Sequence, residues 1–172
     1  LADAVKRLSV GKGTVEGIVC DVADEASINA CVDQVIETYG RIDTLVNSAG
    51  VNVRKPATDY TAEEYDTIFN INLRGTFLLS QKVGKQMIKQ GSGNQINVDS
   101  LSTYAPIHQV LPYSMSKSGM SAMTRGLASE WGPHGVRGNA IAPGFILPDV
   151  PTTRWHDTNM KARGKDRKAG RE

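Results

Sequence analysis

Hydrophobic positions along the chain follow two alternating patterns, and each pattern predicts a different kind of element. In four stretches, apolar residues recur every three or four positions, which is the period of an amphipathic helix. Short apolar runs bounded by glycine or polar residues separate these stretches and predict buried strands. The predicted helices begin near Leu1, Asp24, Thr61 and Tyr113, and the predicted strands span residues 15–20, 43–47, 95–98 and 136–141.

Local signals at the ends of two helices support this pattern. Asp24 precedes the second helix, where its carboxylate would accept a hydrogen bond from a free backbone N–H group, and Gly40 follows as a stop. Thr61 and Glu64 have the spacing of a capping box and open one helical region that continues to Met87. The chain thus alternates strands with helices of ten or more residues.

This alternation is typical of an α/β fold, in which parallel strands form a sheet with helices on both faces. Ligands bind such sheets beyond the carboxyl ends of the strands, and here small or polar residues follow every predicted strand, at 21–22, 47–50, 99–100 and 143–146. Ala49 and Gly50 would let the backbone approach a bulky ligand, although a plain turn also explains Gly50. Asp21 either holds the amine of a base or ends its strand at the surface.

Composition and charge limit the function classes. The chain has 172 residues with 40% hydrophobic content, which suits one domain, and we place this domain at residues 1–150. A net charge of +2 gives no reason to expect nucleic acid or a membrane surface as a partner. The sequence shows neither a long apolar run nor a secretory signal, so we predict a cytoplasmic protein. The polar and basic residues 151–172 predict a substrate-loop remnant or a disordered tail.

The remaining reactive or charged residues carry weaker signals. Cys20 and Cys31 lie in apolar segments and are predicted to be buried, reduced thiols. The histidines have no partners at the spacing of metal ligands, so no metal site is predicted. Arg54 and Lys55 follow the loop at 47–50, where they would meet either an acidic substrate or solvent, and we predict solvent.

Tyr113 and Lys117 carry the strongest candidate chemistry. They stand four residues apart in a predicted helix, so their side chains would share one face about one turn apart. A nearby ammonium group favours phenolate over phenol and lowers the pKa of a tyrosine from about 10. Such a tyrosine can exchange a proton with an alcohol or a carbonyl near neutral pH. The same spacing also occurs in ordinary surface pairs, so the interpretation depends on other residues.

Six short motifs supply that support. They are Cys-Asp-Val at 20–22, Asn-Ser-Ala-Gly at 47–50, Asn-Ile-Asn-Leu at 70–73, Asn-Val-Asp-Ser at 97–100, Tyr-Ser-Met-Ser-Lys at 113–117 and Asn-Ala-Ile-Ala-Pro-Gly at 139–144. With these motifs in order, and with Ser100 thirteen residues before Tyr113, residues 15–146 resemble the short-chain dehydrogenase/reductase family. The resemblance implies a Rossmann-type, doubly wound parallel sheet with helices on both faces, which is incomplete in this sequence.

The resemblance also implies roles for individual residues. Tyr113 would be the general acid/base, Lys117 would lower the pKa of Tyr113 and bind the nicotinamide ribose, and Ser100 would bond the substrate oxygen. Asn72 would hold a water that relays protons from Lys117. The implied cofactor-binding residues are Asp21 and Val22 at the adenine, Asn47, Ala49 and Gly50 along the cofactor, Tyr113 and Lys117, and Pro143, Gly144 and Ile146 beside the nicotinamide.

The sequence departs from the family pattern at both ends. No glycine-rich turn follows any predicted strand, so the pyrophosphate cradle and the residue that selects NAD or NADP are missing. Pro148 stands where the family usually has a threonine that reaches the cofactor amide. These departures leave a gap in the predicted sheet next to the strand at 43–47. We therefore expect the sequence to be a piece of a longer enzyme.

The resemblance implies an oxidoreductase that transfers a hydride between NAD or NADP and a secondary alcohol or ketone. Its substrate would be a sugar acid, a polyol or a similar small polar molecule, and the enzyme would be a homodimer or homotetramer. The alternative is a non-catalytic, truncated remnant that retains only the family's helix-mediated association surface. The candidate residues for that surface are Leu78, Leu79, Val83, Met120, Met123 and Leu127, although in a monomer the same residues would face the sheet.

Overall fold

Three of the four predicted strands form a parallel sheet in the computed structural model, which describes residues 1–11 and 13–146. The strands are β1 (Thr44–Asn47), β2 (Gly93–Val98) and β3 (Val136–Ile141), and they lie side by side in that order. Asn47 is paired with Asn97, and Asn97 is paired with Ala140. The predicted α/β class with parallel strands is confirmed.

The helices also follow the predicted pattern. They are α1 (Ala2–Leu8), α2 (Glu25–Tyr39), α3 (Ala62–Phe69), α4 (Thr76–Gln90) and α5 (Leu111–Trp131). Asp24 caps α2 by accepting a hydrogen bond from the Ala26 N–H group at 3.0 Å, and Gly40 ends α2 with a φ of 72°. The capping box of Thr61 and Glu64 is present at the start of α3.

The prediction of a strand at residues 15–20 is wrong. These residues have no regular secondary structure, and Val19 is 81% exposed. A strand exists only when a neighbouring strand completes its backbone hydrogen bonds. Within residues 1–11 and 13–146 nothing is paired with this segment, because the sheet ends at β1.

The single helical region predicted from Thr61 to Met87 is interrupted. A π-helical turn, Asn70–Gly75, separates α3 from α4 and adds one residue to the usual turn. Asn72 and Gly75 are both buried in this turn. Such π-helical turns occur often at functional sites, and this one carries a residue predicted to be catalytic.

The three long helices α2, α4 and α5 cover one face of the sheet. On this face, Asn47 donates a hydrogen bond to the Ser80 hydroxyl of α4, and Asn97 donates one to the Thr124 hydroxyl of α5. The core between the sheet and the helices contains Val32, Val83, Met87 and Val136, surrounded by Ile36, Ile42, Leu45, Leu79, Ile88 and Trp131. On the opposite face, Val46 and Ile141 are 55% and 53% exposed, as an incomplete doubly wound sheet predicts.

Two residues assigned to the association surface belong instead to the core. Val83 and Met120 are buried inside the described chain and are not available to a partner. Their helix faces turn inward because both helices pack on the sheet. Residues 147–172, which include Pro148 and the predicted tail, lie outside the described residues, so the domain boundary at residue 150 stays a prediction.

Candidate active site

The carboxyl ends of the strands and the start of α5 enclose a cavity of about 300 Å³, which we call the strand-end cavity. Five of the predicted site residues line it, namely Ser100, Tyr113, Pro143, Gly144 and Ile146. The other lining residues are Asn52, Val98, Asp99, Leu101, Ile107, Val110 and Phe145. The structure therefore brings Ser100 and Tyr113 together with the segment predicted to flank a nicotinamide, whereas Lys117 and Asn72 do not line this cavity.

A second cavity, of about 400 Å³, lies beside β1 and is lined by Val22, Asn47 and Ala49 among others. Asp21, which was predicted with them, is not among the lining residues. Its carboxylate accepts a hydrogen bond from the Ala23 N–H group at 2.9 Å within an exposed turn. This local hydrogen bond favours the second of the two roles predicted for Asp21, that of a residue in a surface turn.

Tyr113 and Lys117 share one face of α5, as their spacing predicts. The Lys117 ammonium lies 5.8 Å from the centre of the Tyr113 ring. Lys117 is only 4% exposed, and its Nζ donates a hydrogen bond to the Val98 carbonyl oxygen at 2.6 Å. An ammonium has three N–H donors, so this bond fixes the side chain at the end of β2 while leaving donors for a ligand.

Burial sets the electrostatics of Lys117. Desolvation lowers the pKa of the Lys117 ammonium below its ordinary value, and the charge of Asp99 opposes this effect in part. The ammonium is therefore a positive charge held in a poorly solvated place. A charge in such a place interacts with other charges more strongly than it would in water.

The lowered pKa of Lys117 predicts how stability depends on pH. At a pH between the pKa of Lys117 in the folded chain and its ordinary value of about 10.4, the unfolded chain binds more protons than the folded chain. The free energy of unfolding therefore rises with pH up to about 10.4. This contribution is lost as the pH falls through the pKa of Lys117 in the folded chain. We expect the free energy of unfolding of the wild type, minus that of Lys117→Met, to rise as the pH approaches about 10.4 from below in urea titrations. A difference that is flat or falls would contradict the prediction. Lys85→Met, at an exposed position of α4, is the control and should give a flat difference.

Ser100 is placed to donate a hydrogen bond into the strand-end cavity. Its hydroxyl oxygen accepts bonds from the Ser102 N–H group at 3.1 Å and from the Ser102 hydroxyl at 3.0 Å. A hydroxyl has two acceptor sites and one donor, so both acceptor sites are occupied and the proton remains. Ser100 is 92% buried by its neighbours, with 8% exposed, and it can offer this proton to a ligand oxygen.

Asn72 uses its side chain to hold the loop after β1. Its Oδ1 accepts from the Val51 N–H group at 2.8 Å, and its Nδ2 donates to the Val51 carbonyl at 2.9 Å and to the Ser116 hydroxyl at 3.1 Å. These bonds tie the loop to α5 one residue before Lys117. A Cβ at Gly50 would lie 3.4 Å from Asn72 Oδ1 and 3.7 Å from Lys117 Nζ, so the glycine lies directly against both residues.

Asn47 lies in the buried hydrogen-bond network between β1, β2 and the helices. Its Nδ2 donates to the Ser80 hydroxyl at 2.9 Å and to Asn97 Oδ1 at 2.8 Å, and Asn97 Nδ2 donates to the Thr124 hydroxyl at 2.8 Å. The network connects α4, β1, β2 and α5 in one line. These contacts give Asn47 a structural role at the end of β1.

The residues around Lys117 fit the nicotinamide half of a dinucleotide. Lys117 has N–H donors left for ribose hydroxyls, because the Val98 carbonyl occupies one of the three donors of the ammonium. In residues 1–11 and 13–146, no glycine-rich turn between a strand and a helix is available to hold a pyrophosphate. The described residues therefore suit the nicotinamide half of a dinucleotide and not its pyrophosphate.

Two residues of the strand-end cavity were missed as site residues by the sequence analysis. Asp99 is a carboxylate that is only 3% exposed, and Asn52 carries a side-chain oxygen that is shielded from solvent. Asp99 was noted only as the end of a strand, and Asn52 was not singled out. The position of Asp99 directly after β2 was the available signal, and Asn52 lies in the loop after β1, but burial is not visible in a single sequence.

Other reactive groups in the described residues do not form a second site. Cys20 and Cys31 are free thiols, and burial is the main cause that raises the pKa of Cys20 to about 11. A thiol with that pKa stays protonated and unreactive at neutral pH. Within residues 1–11 and 13–146, no cluster of three or more potential metal ligands occurs, and no helix is long and apolar enough to cross a membrane.

Comparison with known proteins shows which family the chain resembles. A family model described as short chain dehydrogenase matches residues 1–159. The D-threitol dehydrogenase of Mycolicibacterium smegmatis is 41% identical over 149 residues, which cover 87% of this chain and 57% of that protein. The 2-dehydro-3-deoxy-D-gluconate 5-dehydrogenase of Dickeya dadantii is 36% identical over 157 residues, which cover 80% of this chain and 62% of that protein.

Solved structures show the same fold. The crystal structure of NAD+-bound xylitol dehydrogenase superimposes with a TM-score of 0.73 at 34% sequence identity, covering 76% of this chain and 50% of that one. In these three comparisons the chain spans between 50% and 62% of the matched protein's length.

Proposed function

The chain belongs to the short-chain dehydrogenase/reductase family, and we propose that it provides the proton-transfer site of an oxidoreductase acting on a secondary alcohol or ketone. The cofactor is NAD or NADP, and the substrate is a polyol, a sugar acid or a similar small polar molecule. The observation that carries this proposal is the arrangement of Tyr113 and Ser100 in one cavity, with the Lys117 ammonium 5.8 Å from the Tyr113 ring.

Tyr113 is the general acid/base of the proposed reaction. In reduction, its hydroxyl delivers a proton to the carbonyl oxygen of the substrate, and in oxidation its phenolate removes the proton of an alcohol. Lys117 stabilises the phenolate because its buried positive charge lies close to the ring. Ser100 donates its free proton to the substrate oxygen, which positions that oxygen and stabilises the negative charge that develops on it.

The cofactor-binding roles divide between the two cavities. Lys117 would hold the nicotinamide ribose, and Pro143, Gly144 and Ile146 would flank the nicotinamide at the wall of the strand-end cavity. When bound, the nicotinamide ring supplies or accepts the hydride. Asp21 and Val22 are proposed to contact the adenine, and Asn47, Ala49 and Gly50 are proposed to line the cofactor.

Asn72 is proposed to connect Lys117 to solvent for proton return. Both of its Nδ2 donors are bonded to Val51 and Ser116, and Oδ1 accepts one bond from Val51, which leaves Oδ1 a second acceptor site for a water. The π-helical turn around Asn72 brings this residue against the Lys117 end of α5. A relay water there would be positioned by the loop that Asn72 holds.

Association with a second copy is proposed for the outer faces of α4 and α5. A groove of about 930 Å³ runs between α3, the π-helical turn and these helices, and Phe77 and Met123 line it. Phe77 is 40% exposed, as expected for a residue that packs on a partner. A dimer or tetramer would cover this surface. The same groove is the observation that favours the alternative, a non-catalytic remnant that only associates.

Dinucleotide binding and turnover together test the proposal. The purified chain is titrated with NAD+ and NADP+ by isothermal calorimetry, and reduced cofactor is then followed in the presence of polyols and sugar acids. We expect one dinucleotide to bind and at least one substrate to be oxidised. A chain that binds neither dinucleotide but forms dimers in analytical ultracentrifugation would support the non-catalytic alternative.

A further inference from the structure

Asp99 is a buried carboxylate that lies directly after β2. It is only 3% exposed, and its Oδ1 accepts a hydrogen bond from the Thr103 hydroxyl at 2.6 Å, a length typical of a charge-assisted bond to a carboxylate. Its Oδ2 is shielded from solvent and has no hydrogen-bond partner within residues 1–11 and 13–146. A carboxylate in such a place is costly unless a positive charge offsets its negative one.

The Lys117 ammonium supplies that positive charge. Lys117 Nζ is bonded to the carbonyl of Val98 at 2.6 Å, so the ammonium is held at the residue that immediately precedes Asp99. The two charged groups form no direct ion pair in the described part of the chain. Desolvation lowers the pKa of Lys117, and the charge of Asp99 opposes this effect by raising it. The charges interact across the gap because both side chains are buried and water screens them little.

The other groups around the Lys117 ammonium do not offer it a negative charge. Tyr113, on the same helix, places its ring centre 5.8 Å away and is the titratable partner in the proposed reaction. Gly50 of the loop after β1 and Asn72 of the π-helical turn lie on another side, and neither carries a charge. Arg74, the charged residue of that turn, is exposed. One buried carboxylate therefore balances one buried ammonium at the end of β2.

The proposed reaction depends on this balance. A positive charge on Lys117 stabilises the phenolate of Tyr113, whereas a neutral amine would not. Burial by itself favours the neutral amine, because it penalises the charged form. A negative charge nearby favours the ammonium, so it preserves the group that the proton transfer needs.

We propose that Asp99 is a positioning residue of the reaction, whose buried carboxylate keeps Lys117 a charged ammonium beside Tyr113. This inference rests on the proposed oxidoreductase function and adds a residue to its machinery. Asp99 acts through Lys117 and not on the substrate, because its Oδ2 is shielded and its Oδ1 is bonded to Thr103. Its backbone N–H group donates to the Ile141 carbonyl at 2.7 Å, which fixes the carboxylate at the ends of β2 and β3.

A direct titration of Lys117 by NMR tests the inference without any substrate. The chain is prepared with isotopically labelled lysine, and the signal of Lys117 is assigned by its loss in Lys117→Met. Asp99→Asn keeps an oxygen for the Thr103 hydroxyl and removes the charge. We expect the pH at which Lys117 is half ionised to fall in Asp99→Asn, because desolvation then acts without an opposing charge. A midpoint that is unchanged or higher would overturn the inference.

Two further variants make the titration decisive. Asp99→Ser also removes the charge and leaves no amide in the core, so it replaces Asp99→Asn if the asparagine prevents folding, and the same fall is expected. Asp33→Asn is the matched control, because it removes an equal charge from an exposed position on α2, where Asp33 is paired with Lys82 at 2.9 Å. It should leave the Lys117 midpoint unchanged. A shift as large as that of Asp99→Asn would assign the effect to net charge and overturn the inference.

The pH profile of turnover measures the consequence for catalysis, with D-threitol as the probe and NAD+ or NADP+ as the oxidant. We expect the ratio of kcat between the wild type and Asp99→Asn to increase with pH and to reach roughly tenfold, because Lys117 of the variant loses its proton at lower pH. The KM for D-threitol should stay nearly unchanged. A ratio that is constant across the pH range, or a loss confined to KM, would overturn the inference. A wild type that turns over neither D-threitol nor D-gluconate would count against the proposed function instead, and the titration of Lys117 still decides the inference.

Discussion

Tyr113→Phe is expected to lower kcat/KM by about 10³-fold while leaving the affinity for the dinucleotide nearly unchanged. The substitution removes one hydroxyl and keeps the ring, which lies 5.8 Å from the Lys117 ammonium. Without the hydroxyl, no group of the strand-end cavity is placed to exchange a proton with the substrate while Ser100 donates to the same oxygen. The proton step then depends on water, and general acid/base catalysis of roughly 10²–10⁴-fold is lost.

Steady-state kinetics with the best polyol and calorimetric titration of the dinucleotide measure the two halves of this prediction. Tyr104→Phe is the matched control, because Tyr104 is 69% exposed and does not line the strand-end cavity. The control should keep wild-type turnover. Unchanged turnover in Tyr113→Phe would refute the assigned acid/base, and a parallel loss of dinucleotide affinity would show that the residue acts mainly in binding.

Gly75→Ala is expected to destabilise the chain by roughly 2–3 kcal/mol, as an overpacked core position does. Gly75 has an ordinary helical backbone with φ of −61°, so its conformation does not require glycine. The requirement comes from a close approach, because a Cβ at Gly75 would clash with the Val22 carbonyl oxygen and would lie 3.0 Å from the Val22 carbonyl carbon. Backbone atoms on both sides must shift to make room.

Gly126→Ala is the control for this prediction. Gly126 lies inside α5, and a Cβ there would meet no atom within 4 Å, so we expect alanine to stabilise the chain by about 0.5–1 kcal/mol. Urea unfolding of the two variants and the wild type measures both changes. Equal effects of the two substitutions would contradict the close approach at Gly75. The displaced segment includes Val22, so Gly75→Ala should also weaken dinucleotide binding if Val22 contacts the adenine.

Some features of the fold were predictable because their causes are local. The cap of α2 by Asp24 and its end at Gly40 depend on residues next to each other, and the structure confirms both. The shared helix face of Tyr113 and Lys117 follows from their spacing alone. Ser100 reached the same cavity as Tyr113 because a parallel sheet collects the ends of its strands at one edge.

Other features were not predictable because distant residues cause them. An apolar run such as residues 15–20 becomes a strand only when another strand lies beside it, and in the described residues none does. The π-helical turn at Asn70–Gly75 interrupts a stretch whose apolar period is continuous. Apolar residues recur at the same helical spacing whether they face a partner or the core, so the spacing of Val83 and Met120 does not distinguish the two. Packing in the folded chain places both residues in the core.

The sequence by itself determined the class of fold, most of its elements and the residues proposed for proton transfer, because helix period, caps and short motifs are properties of neighbouring residues. Tertiary structure decided which of these side chains are buried, what they contact and which charges meet in one cavity. The buried Asp99 beside Ser100 is the clearest case, since its unpartnered oxygen exists only because strands, loops and α5 close around it. Burial and desolvation depend on the whole surrounding chain, and no local pattern encodes them.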